Sequence, residues 1–343
     1  MGEQPSLKRV AQLSGVSVST VSRVLNDPEA RLPVKAETRK RVLEVADSLD
    51  YRPNPMVRTI RAKLTNLIAI VGFRDFGAAF RGPSEEAINS FTEFAYEHGY
   101  ELCTNLLSPS TDPYELPRWR VDGAVVVDCP DAALLSSIEN SGTPYVSING
   151  VAGKTGSSVR VDDRHGAADL TAHLLRLGHE RIAYVAQDPA CRAKSLEKQP
   201  HHTSFFNRHS GYLETLQAAG VEPLTPEPPE PTSAREAVEA CVRRRGATAL
   251  IVYDHMTAVK ALNAIAGLGL RVPEDVSVGC FNDLFPLSDL TPSVTAVGLP
   301  AEEMGRLAAE MLIAKMRSSD DKPQTVVCPE ELVIRNSTAA PRS

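Results

Sequence analysis

The stretch Ser6-Leu-Lys-Arg-Val-Ala-Gln-Leu-Ser-Gly-Val-Ser-Val-Ser-Thr-Val-Ser-Arg-Val-Leu-Asn26 decides the fold of the N-terminal part of the chain. An amphipathic helical pattern comes first, a turn centred on Gly15 follows, and a second short helix starts with polar residues. This order of elements is typical of a helix-turn-helix. The stretch therefore predicts a protein that reads DNA.

Three small residues are predicted to set the ends of these helices. The Ser6 side chain can accept a hydrogen bond from a free backbone N–H at the start of the first helix. Gly15 supplies the positive φ of a tight turn, and Ser17 is positioned to cap the second helix. The apolar residues expected to face the inside of the motif are Val10, Ala11, Leu13, Val21, Val24 and Leu25.

The other side chains around the start of the second helix are expected to face DNA, namely Ser17, Val18, Ser19, Thr20, Ser22 and Arg23. Arg23 suits a bidentate contact with guanine, while Ser19 and Val18 suit a base edge or a thymine methyl group. Ser17 and Thr20 are better placed for phosphates. Each residue alone could be an ordinary solvated side chain, but the set on one helix favours a DNA-reading surface.

A third helical pattern closes the small core through Val42, Val45, Ala46 and Leu49. Beyond it, Asn54 is a strong helix cap and Pro55 suits a first helical position, which predicts a short helix from about 55 to 61. So short a helix is unstable alone in water. We therefore expect it to form only on DNA.

The head closely resembles the LacI/GalR family of bacterial transcriptional regulators. The resemblance is carried by Val10-Ala11, Gly15-Val16-Ser17, Thr20-Val21-Ser22-Arg23-Val24-Leu25-Asn26 and Tyr51-x-Pro53-Asn54. It implies a homodimer or tetramer on a near-palindromic operator in double-stranded DNA, with paired hinge helices in the minor groove. The further DNA contacts that it implies are Asn26, Tyr51, Asn54, Val57, Arg58, Ile60 and Arg61.

Three positions depart from the family pattern. Ile60 stands where a hinge leucine wedges the central base step, and Val57 replaces a small alanine. Lys35 stands where a capping Ser or Thr is usual, which predicts a poorly capped third helix.

Charge divides the chain in the same way as the motif. Residues 1–63 hold 12 lysines and arginines against 7 acidic residues, whereas the remainder holds 25 against 36, within a net charge of −6. A basic head on an acidic body suits a small DNA-binding module, here residues 1–63, joined to a larger domain.

The six cysteines form no Cys-x-x-Cys pair, which is typical of reduced thiols in a cytoplasmic protein and not of a disulfide framework or zinc site. The longest apolar run, Leu67–Val71, is too short to span a membrane, and no secretory core precedes the motif. A cytoplasmic location without membrane contact is expected.

After residue 64 the pattern changes to short apolar strands that alternate with helices, which predicts parallel sheets covered by helices on both faces. The strands are expected at Leu67–Val71, Gly123–Val127, Pro144–Ile148, Ile182–Ala186, Leu250–Tyr253, Val276–Phe281 and Val294–Val297. The helices are expected at about 84–98, 166–177, 210–219, 234–244, 257–268 and 300–316. The pattern restarts near Arg181, which indicates two similar lobes.

The family resemblance extends over about residues 64–338. It is carried by Val121-Asp122-Gly123, Gly178-His179, Gly211-Tyr212, Val272-Pro273-x-Asp275, Pro292-x-Val294-Thr295 and Met304-Gly305. The implied fold class is α/β: a helix-turn-helix head followed by a two-lobed body like a type I periplasmic binding protein. The first lobe is expected at about 64–160 and 294–323, and the second at about 161–293 and 324–338.

In such a body a small effector lies between the lobes, at the carboxyl ends of the strands. By resemblance, Arg208 grips a ligand hydroxyl or carboxylate. The other residues that align with the family's pocket are Arg74, Phe76, Phe80, Asn149, Tyr253, Asp254, Asn282 and Asp283. An aspartate after a strand can instead be a helix cap, and a phenylalanine is most often part of the core.

The departures in this set suggest a hypothesis about the ligand. Asn149 and Asn282 stand where aspartates are common, and Tyr253 stands where an asparagine is usual. With two arginines, Arg74 and Arg208, near the cleft, the ligand would be more acidic or aromatic than a plain sugar.

Other motifs carry no chemistry. Gly153-Lys154-Thr155 resembles the end of a P-loop, but the glycine required five residues earlier is Ile148. His201, His202 and His209 have no further ligand at metal spacing, so a polar loop is the better interpretation and no metal or cofactor is expected. The prediction is a repressor modulated by a sugar or related catabolite. A co-repressed regulator or activator and, remotely, a solute-binding protein are the alternatives, and no enzyme site is present.

Overall fold

The computed structural model describes residues 6–25, 34–52, 64–72, 82–105, 121–128, 132–186, 203–224, 233–318 and 322–342. The chain divides into two compact units, Met1–Asn66 and Leu67–Ser343.

The first unit, called the head below, contains three helices: α1 (Leu7–Ser14), α2 (Val18–Leu25) and α3 (Ala36–Ser48). Its small core consists of Val10, Ala11, Val21, Val24, Val42 and Ala46. Lys35 makes no side-chain cap bond to α3, as its residue type predicted. The helix is held at its start by the backbone bond from Arg39 N to Lys35 O, at 3.0 Å.

The second unit, called the body below, contains two sheets. The first sheet has the order β10-β5-β4-β3-β1-β2 and all its pairs are parallel. Its strands are β1 (Leu67–Val71), β2 (Glu101–Asn105), β3 (Gly123–Val127), β4 (Tyr145–Ile148), β5 (Ser157–Val161) and β10 (Thr325–Cys328). Its helices are α4 (Pro83–Glu97), α5 (Ala132–Ser141) and α10 (Ala301–Arg317).

The second sheet has the order β11-β9-β8-β7-β6, and only β11 runs antiparallel to its neighbour. Its strands are β6 (Ile182–Val185), β7 (Ala249–Val252), β8 (Ser277–Phe281), β9 (Thr295–Gly298) and β11 (Glu331–Val333). Its helices are α6 (Asp163–Arg176), α7 (Thr203–Ala218), α8 (Ala234–Glu239) with a π-helical turn Ala240–Arg244, and α9 (His255–Gly267).

Each sheet buries both faces, which explains why its central strands read as continuous apolar runs. In the first sheet, α4 and α10 cover one face through Phe91 and Leu312, while α5 covers the other through Ile138. In the second, α6 and α7 cover the face that includes Tyr184 and Tyr253.

The seven strands expected from the sequence are present, and the two lobes are confirmed as two sheets. The expected lobe boundaries near the C-terminus are wrong. β9 pairs with β8, as Gly279 opposite Thr295 shows, so it belongs to the second lobe. β10 pairs with β5, with Thr325 opposite Ser158, so it belongs to the first. The chain therefore crosses between the lobes after β5, after β9 and after β10.

Candidate functional site

The start of α2 is held by contacts that act over a few residues. The Ser6 Oγ accepts a hydrogen bond from Arg9 N at 3.3 Å, which confirms the predicted cap of α1. Gly15 has φ +67° and donates its N–H to Ala11 O, so α1 ends in the expected turn. Ser17 Oγ then accepts from Thr20 N at 3.1 Å and caps α2. These bonds fix the direction in which α2 leaves the turn.

The exposed residues at this end form a surface of hydroxyl groups beside one apolar and one cationic side chain. Ser17 Oγ lies 2.8 Å from Ser19 Oγ and 2.8 Å from Thr20 Oγ1. Val18 is 40% exposed, which is unusual for a valine, and Arg23 is also exposed. Hydroxyls and a guanidinium can bind phosphates and base edges, and a valine methyl can meet the methyl group of thymine.

Two side chains of the head differ in burial from what the sequence pattern predicts. Ser22 is only 5% exposed and is therefore not on the outer face. It follows Val21 by about 100° around the helix and remains at the edge of the buried face. Leu13 is 49% exposed, and Ser14 takes its place inside, where its hydroxyl donates to Val10 O at 2.6 Å.

Tyr51 packs against the head core and donates its N–H to Ala46 O at 2.8 Å. The other predicted DNA contacts outside α2 lie outside the described residues, namely Asn26, Asn54, Val57, Arg58, Ile60 and Arg61.

The candidate ligand site of the body lies where strands of both sheets end. Asn149 follows β4 directly, Tyr253 follows β7, and Asn282 follows β8. Because parallel strands end at the same edge of their sheet, Asn149 lies at the carboxyl edge of the first sheet, and Tyr253 and Asn282 lie at that of the second. These are the edges at which doubly wound folds bind ligands. Arg74, Phe76 and Phe80 lie outside the described residues.

Arg208 on α7 is the centre of the site, and it is only 3% exposed. Its Nε donates to Asp163 Oδ1 at 2.7 Å, its Nη1 to Tyr253 O at 2.9 Å, and its Nη2 to Asn282 Oδ1 at 3.0 Å. The guanidinium carbon also lies 4.5 Å from the centre of the Phe281 ring. Burial lowers the pKa of Arg208, but Asp163, Tyr253, Glu330 and Tyr184 together raise it by more, so the guanidinium stays charged.

The partner carboxylate changes the predicted role of this arginine. Asp163 is buried at the start of α6 and forms an ion pair with Arg208. The positive charge is therefore already balanced by the protein. One of the two arginines behind the hypothesis of an acidic ligand thus provides no free charge, and the other, Arg74, lies outside the described residues.

Two of the aligned aspartates have structural partners. Asp254 caps α9 and accepts a hydrogen bond from Thr257 N at 2.6 Å. Asp283 is held by Arg335 through two bonds, of 2.6 and 2.8 Å. Both contacts stabilise the edge of the second sheet, and a direct contact of either residue with ligand stays a prediction.

Across the cleft, the first sheet contributes an amide and a carboxylate. Asn149 Nδ2 donates to Asp128 Oδ1 at 3.1 Å, and Ser84 Oγ donates to the other oxygen of Asp128. Asn149 has φ +52° and Asp128 has φ +47°, a backbone region that Asn and Asp tolerate better than most residues. The backbone thus turns away directly after each strand and leaves these polar groups at the edge.

Three buried polar groups in the second lobe have no hydrogen-bond partner among the described residues. They are the Tyr184 hydroxyl, the His255 imidazole and both carboxyl oxygens of Glu330. Burial raises the pKa of Glu330 to about 8 and lowers that of His255. No local sequence pattern predicts these groups, because Tyr184 lies within an apolar strand and Glu330 follows a proline at the edge of a strand.

His209, which was expected in a polar loop, lies within α7, and its ring packs against Tyr184 and Tyr212 with centres 5.1 and 6.0 Å apart. The described residues contain no group of three or more His, Cys, Asp or Glu that could hold a metal ion. In the same residues no helix has the length and apolar character needed to cross a membrane.

Comparison with known proteins agrees with both parts of the chain. Residues 6–54 match the family "Bacterial regulatory proteins, lacI family", and residues 171–338 match the "Periplasmic binding protein-like domain". The HTH-type transcriptional regulator DegA of Bacillus subtilis (strain 168) is 28% identical over 349 residues, which cover 96% of this chain and 97% of that protein.

Solved structures agree over nearly the whole chain. The complex of the transcriptional regulator CelR with cellobiose has a TM-score of 0.65 and 26% identity, covering 97% of this chain and 99% of that one. The lac repressor dimer bound to operator and the anti-inducer ONPF has a TM-score of 0.77 at 21% identity, covering 98% and 100%, and shares the fold. The chain therefore belongs to the LacI/GalR family of transcriptional regulators.

Proposed function

We propose that this protein is a repressor that binds a near-palindromic operator through the start of α2 and is controlled by a small effector in the cleft of the body. The observation that carries the proposal is the surface formed by Ser17, Val18, Ser19 and Arg23, all exposed at the start of a rigidly capped helix. Such a helix end enters the major groove with its first residues at base edges.

In this proposal Arg23 reads a guanine, Val18 and Ser19 contact base edges, and Ser17 and Thr20 position the helix on phosphates. Tyr51 supports the head by packing against its core, and Ser22 acts from the edge of the buried face. Asn26, Asn54, Val57, Arg58, Ile60 and Arg61 provide the remaining contacts, with Ile60 in the minor groove.

The proposed assembly is a homodimer formed by the bodies. A head of about sixty residues has too little surface to hold two half-sites by itself, and a two-fold protein matches a two-fold operator. Because its partner is operator DNA, the protein is expected to act in the cytoplasm.

The proposed effector is a sugar or a related catabolite. The structure of CelR with cellobiose is a relative in which such a ligand is bound. The polar groups at the strand ends of this chain, among them Asn149 and Asn282, suit hydroxyl groups. Ligand binding would change operator affinity by favouring one arrangement of the two lobes.

The test is fluorescence anisotropy with the full chain and a palindrome obtained by selection from random DNA. We expect binding at nanomolar protein concentration and at least tenfold weaker binding when a cognate sugar from a panel is added. Stronger binding with sugar would mean that the protein is a co-repressed regulator, whose operator binding is promoted by its ligand. Absence of any preference for the selected palindrome would contradict the proposed function.

A further inference from the structure

Glu330 lies where the chain crosses from the first sheet to the second. It stands between β10, which ends at Cys328 in the first sheet, and β11, which begins at Glu331 in the second. β10 runs parallel to β5, and Glu331 pairs with Gly298 at the last position of β9. Glu330 is therefore at the carboxyl ends of strands from both lobes, the edge where the effector is proposed to bind.

The Glu330 carboxyl group rests against the first turns of α6. A β-carbon placed on Gly166 would overlap Glu330 Oε2 and would also come within 2.9 Å of a methyl group of Val297. The absence of a side chain at position 166 thus creates the space that the carboxyl group occupies. Both of its oxygens are buried, and neither has a hydrogen-bond partner among the described residues.

The neighbouring charges do not supply the missing partner. Asp162, Asp163 and Asp169 act on Glu330 as like charges, and Arg208 acts as an opposite one. The Arg208 guanidinium is itself occupied by Asp163, Tyr253 O and Asn282. Burial and the neighbouring carboxylates raise the pKa of Glu330 to about 8, so its carboxyl group is protonated at neutral pH, and the same surroundings disfavour an anionic ligand.

A second unpartnered group also interacts with Arg208. Tyr184 is 7% exposed, its hydroxyl has no hydrogen-bond partner among the described residues, and it interacts electrostatically with Arg208 and Asp163. A phenol and a protonated carboxyl group can each donate a hydrogen bond and accept one. An alcohol group does both, so a ligand with several hydroxyl groups would complete Glu330 and Tyr184 together. Buried polar groups left without partners are costly, which gives such a ligand its advantage.

We infer that Glu330 and Tyr184 determine effector specificity, and that they select a neutral polyhydroxylated molecule and reject the corresponding sugar acid. This inference rests on the proposed function, because it assigns the ligand class of the same cleft. It replaces the acidic ligand that the aligned arginines suggested.

The experiment compares matched ligands on the full chain by calorimetric titration and thermal shift. The probes are glucose with glucuronate, galactose with galacturonate, and cellobiose with cellobionate. We expect at least one neutral sugar to bind and its acid to bind at least tenfold more weakly. An acid that binds as tightly as its neutral counterpart, or a lack of binding by every neutral sugar, would overturn the inference.

Variants then test the two residues. Glu330→Leu removes the donor and the acceptor of the protonated carboxyl group and should weaken binding of the neutral sugar about tenfold, whereas Glu330→Gln keeps a donor and an acceptor and should weaken it less. Tyr184→Phe should weaken binding a few-fold. The exposed residues Glu331 and Tyr96 provide matched controls, and Glu331→Leu and Tyr96→Phe should leave binding unchanged. Unchanged binding of the neutral sugar in Glu330→Leu would contradict the assignment.

Operator binding without sugar, measured on the same samples, distinguishes a failure of the proposed function from a failure of this inference. Wild type and Glu330→Gln should bind the selected palindrome equally, since Glu330 lies in the body. If wild type fails to bind operator, the proposed function fails. If operator binding is normal but the acid is not rejected, only this inference fails.

Discussion

The head surface and the Arg208 cluster use the same kinds of side chain in opposite ways. At the start of α2, Arg23 and the serine hydroxyls are exposed, and Ser17 is held by bonds that span two or three residues. In the cluster, Arg208 is buried and bound by groups 45 and 74 residues away in the chain. The first arrangement leaves charge accessible to a polyanion, whereas the second neutralises it inside the protein.

The comparison indicates which arginine acts on a partner and which acts on the fold. An exposed guanidinium gains by replacing the counterions of DNA. A buried guanidinium with a carboxylate at 2.7 Å stabilises the elements that carry both groups, here α6 and α7. These helices can cross closely because Gly211 has no side chain; a β-carbon at this position would overlap the backbone oxygen of Arg164.

The largest effect is expected from breaking the buried pair. Arg208→Met leaves Asp163 buried without its counter-charge and should reduce the free energy of unfolding by about 3–5 kcal/mol, measured by urea denaturation. The matched control is Arg164→Met, which removes an exposed ion pair with Glu214 and should change stability little.

The double variant Arg208→Met with Asp163→Leu removes both charges and should recover part of the loss. If Arg208→Met were no more destabilising than Arg164→Met, the cluster would not have the structural role described here.

The second effect concerns the pH dependence of stability. Burial raises the pKa of Glu330, so the folded chain keeps this proton to higher pH than the unfolded chain. The stabilisation is complete below the ordinary pKa of a glutamate and is lost as the pH rises through about 8. We expect about 4 kcal/mol less stability at pH 8.5 than at pH 5 from this group.

Asp162, Asp163 and Asp169 add to this trend by repelling the ionised form, and Arg208 opposes it. Glu330→Gln should remove this part of the pH dependence, whereas Glu331→Gln should leave the profile of denaturation midpoints unchanged. A profile identical in wild type and Glu330→Gln would mean that Glu330 is ionised at neutral pH.

The third effect is on DNA recognition. Arg23→Ala should cost about 1–3 kcal/mol of operator affinity, the usual value of a bidentate guanine contact, with little change on random DNA. The control is Arg235→Ala, an exposed arginine of the body with the same loss of charge. Equal losses on operator and random DNA would reduce Arg23 to a phosphate contact.

The smallest effect concerns the cap of α1. Ser6→Ala removes the acceptor of Arg9 N and should destabilise the head by about 1 kcal/mol, read from thermal unfolding of the full chain. Ser48→Ala, which removes an exposed hydroxyl bonded to Val45 O, is the control and should have a smaller effect. A neutral Ser6→Ala would indicate that the turn at Gly15 alone sets the position of α2.

Whether a residue's role could be predicted depends on how far apart in the sequence its contacts lie. Ser6, Gly15 and Ser17 act within four residues, and their roles were predictable from residue type alone. The burial of Ser22 and the exposure of Leu13 were not, because both lie at the edge of a helical face, where the packing of the next helix decides.

In the body seven strands were predictable, but β2, β5, β10 and β11 were not, nor was the sheet to which a strand belongs. β9 and β10 are both short, and nothing in their sequences distinguishes one sheet from the other. β10 is also an exposed edge strand, and its weak apolar pattern does not predict a strand. The partners of Arg208 and the buried carboxyl of Glu330 arise from contacts between distant elements, which no local pattern contains.

The most direct test of the account is selection of binding sites from random DNA with wild type and Arg23→Ala in parallel. We expect a near-palindromic site for wild type, and for the variant the same site with base preference lost at one symmetric pair of positions. A site without two-fold symmetry, or the same preferences in both proteins, would contradict the claim that α2 reads an operator as part of a dimer.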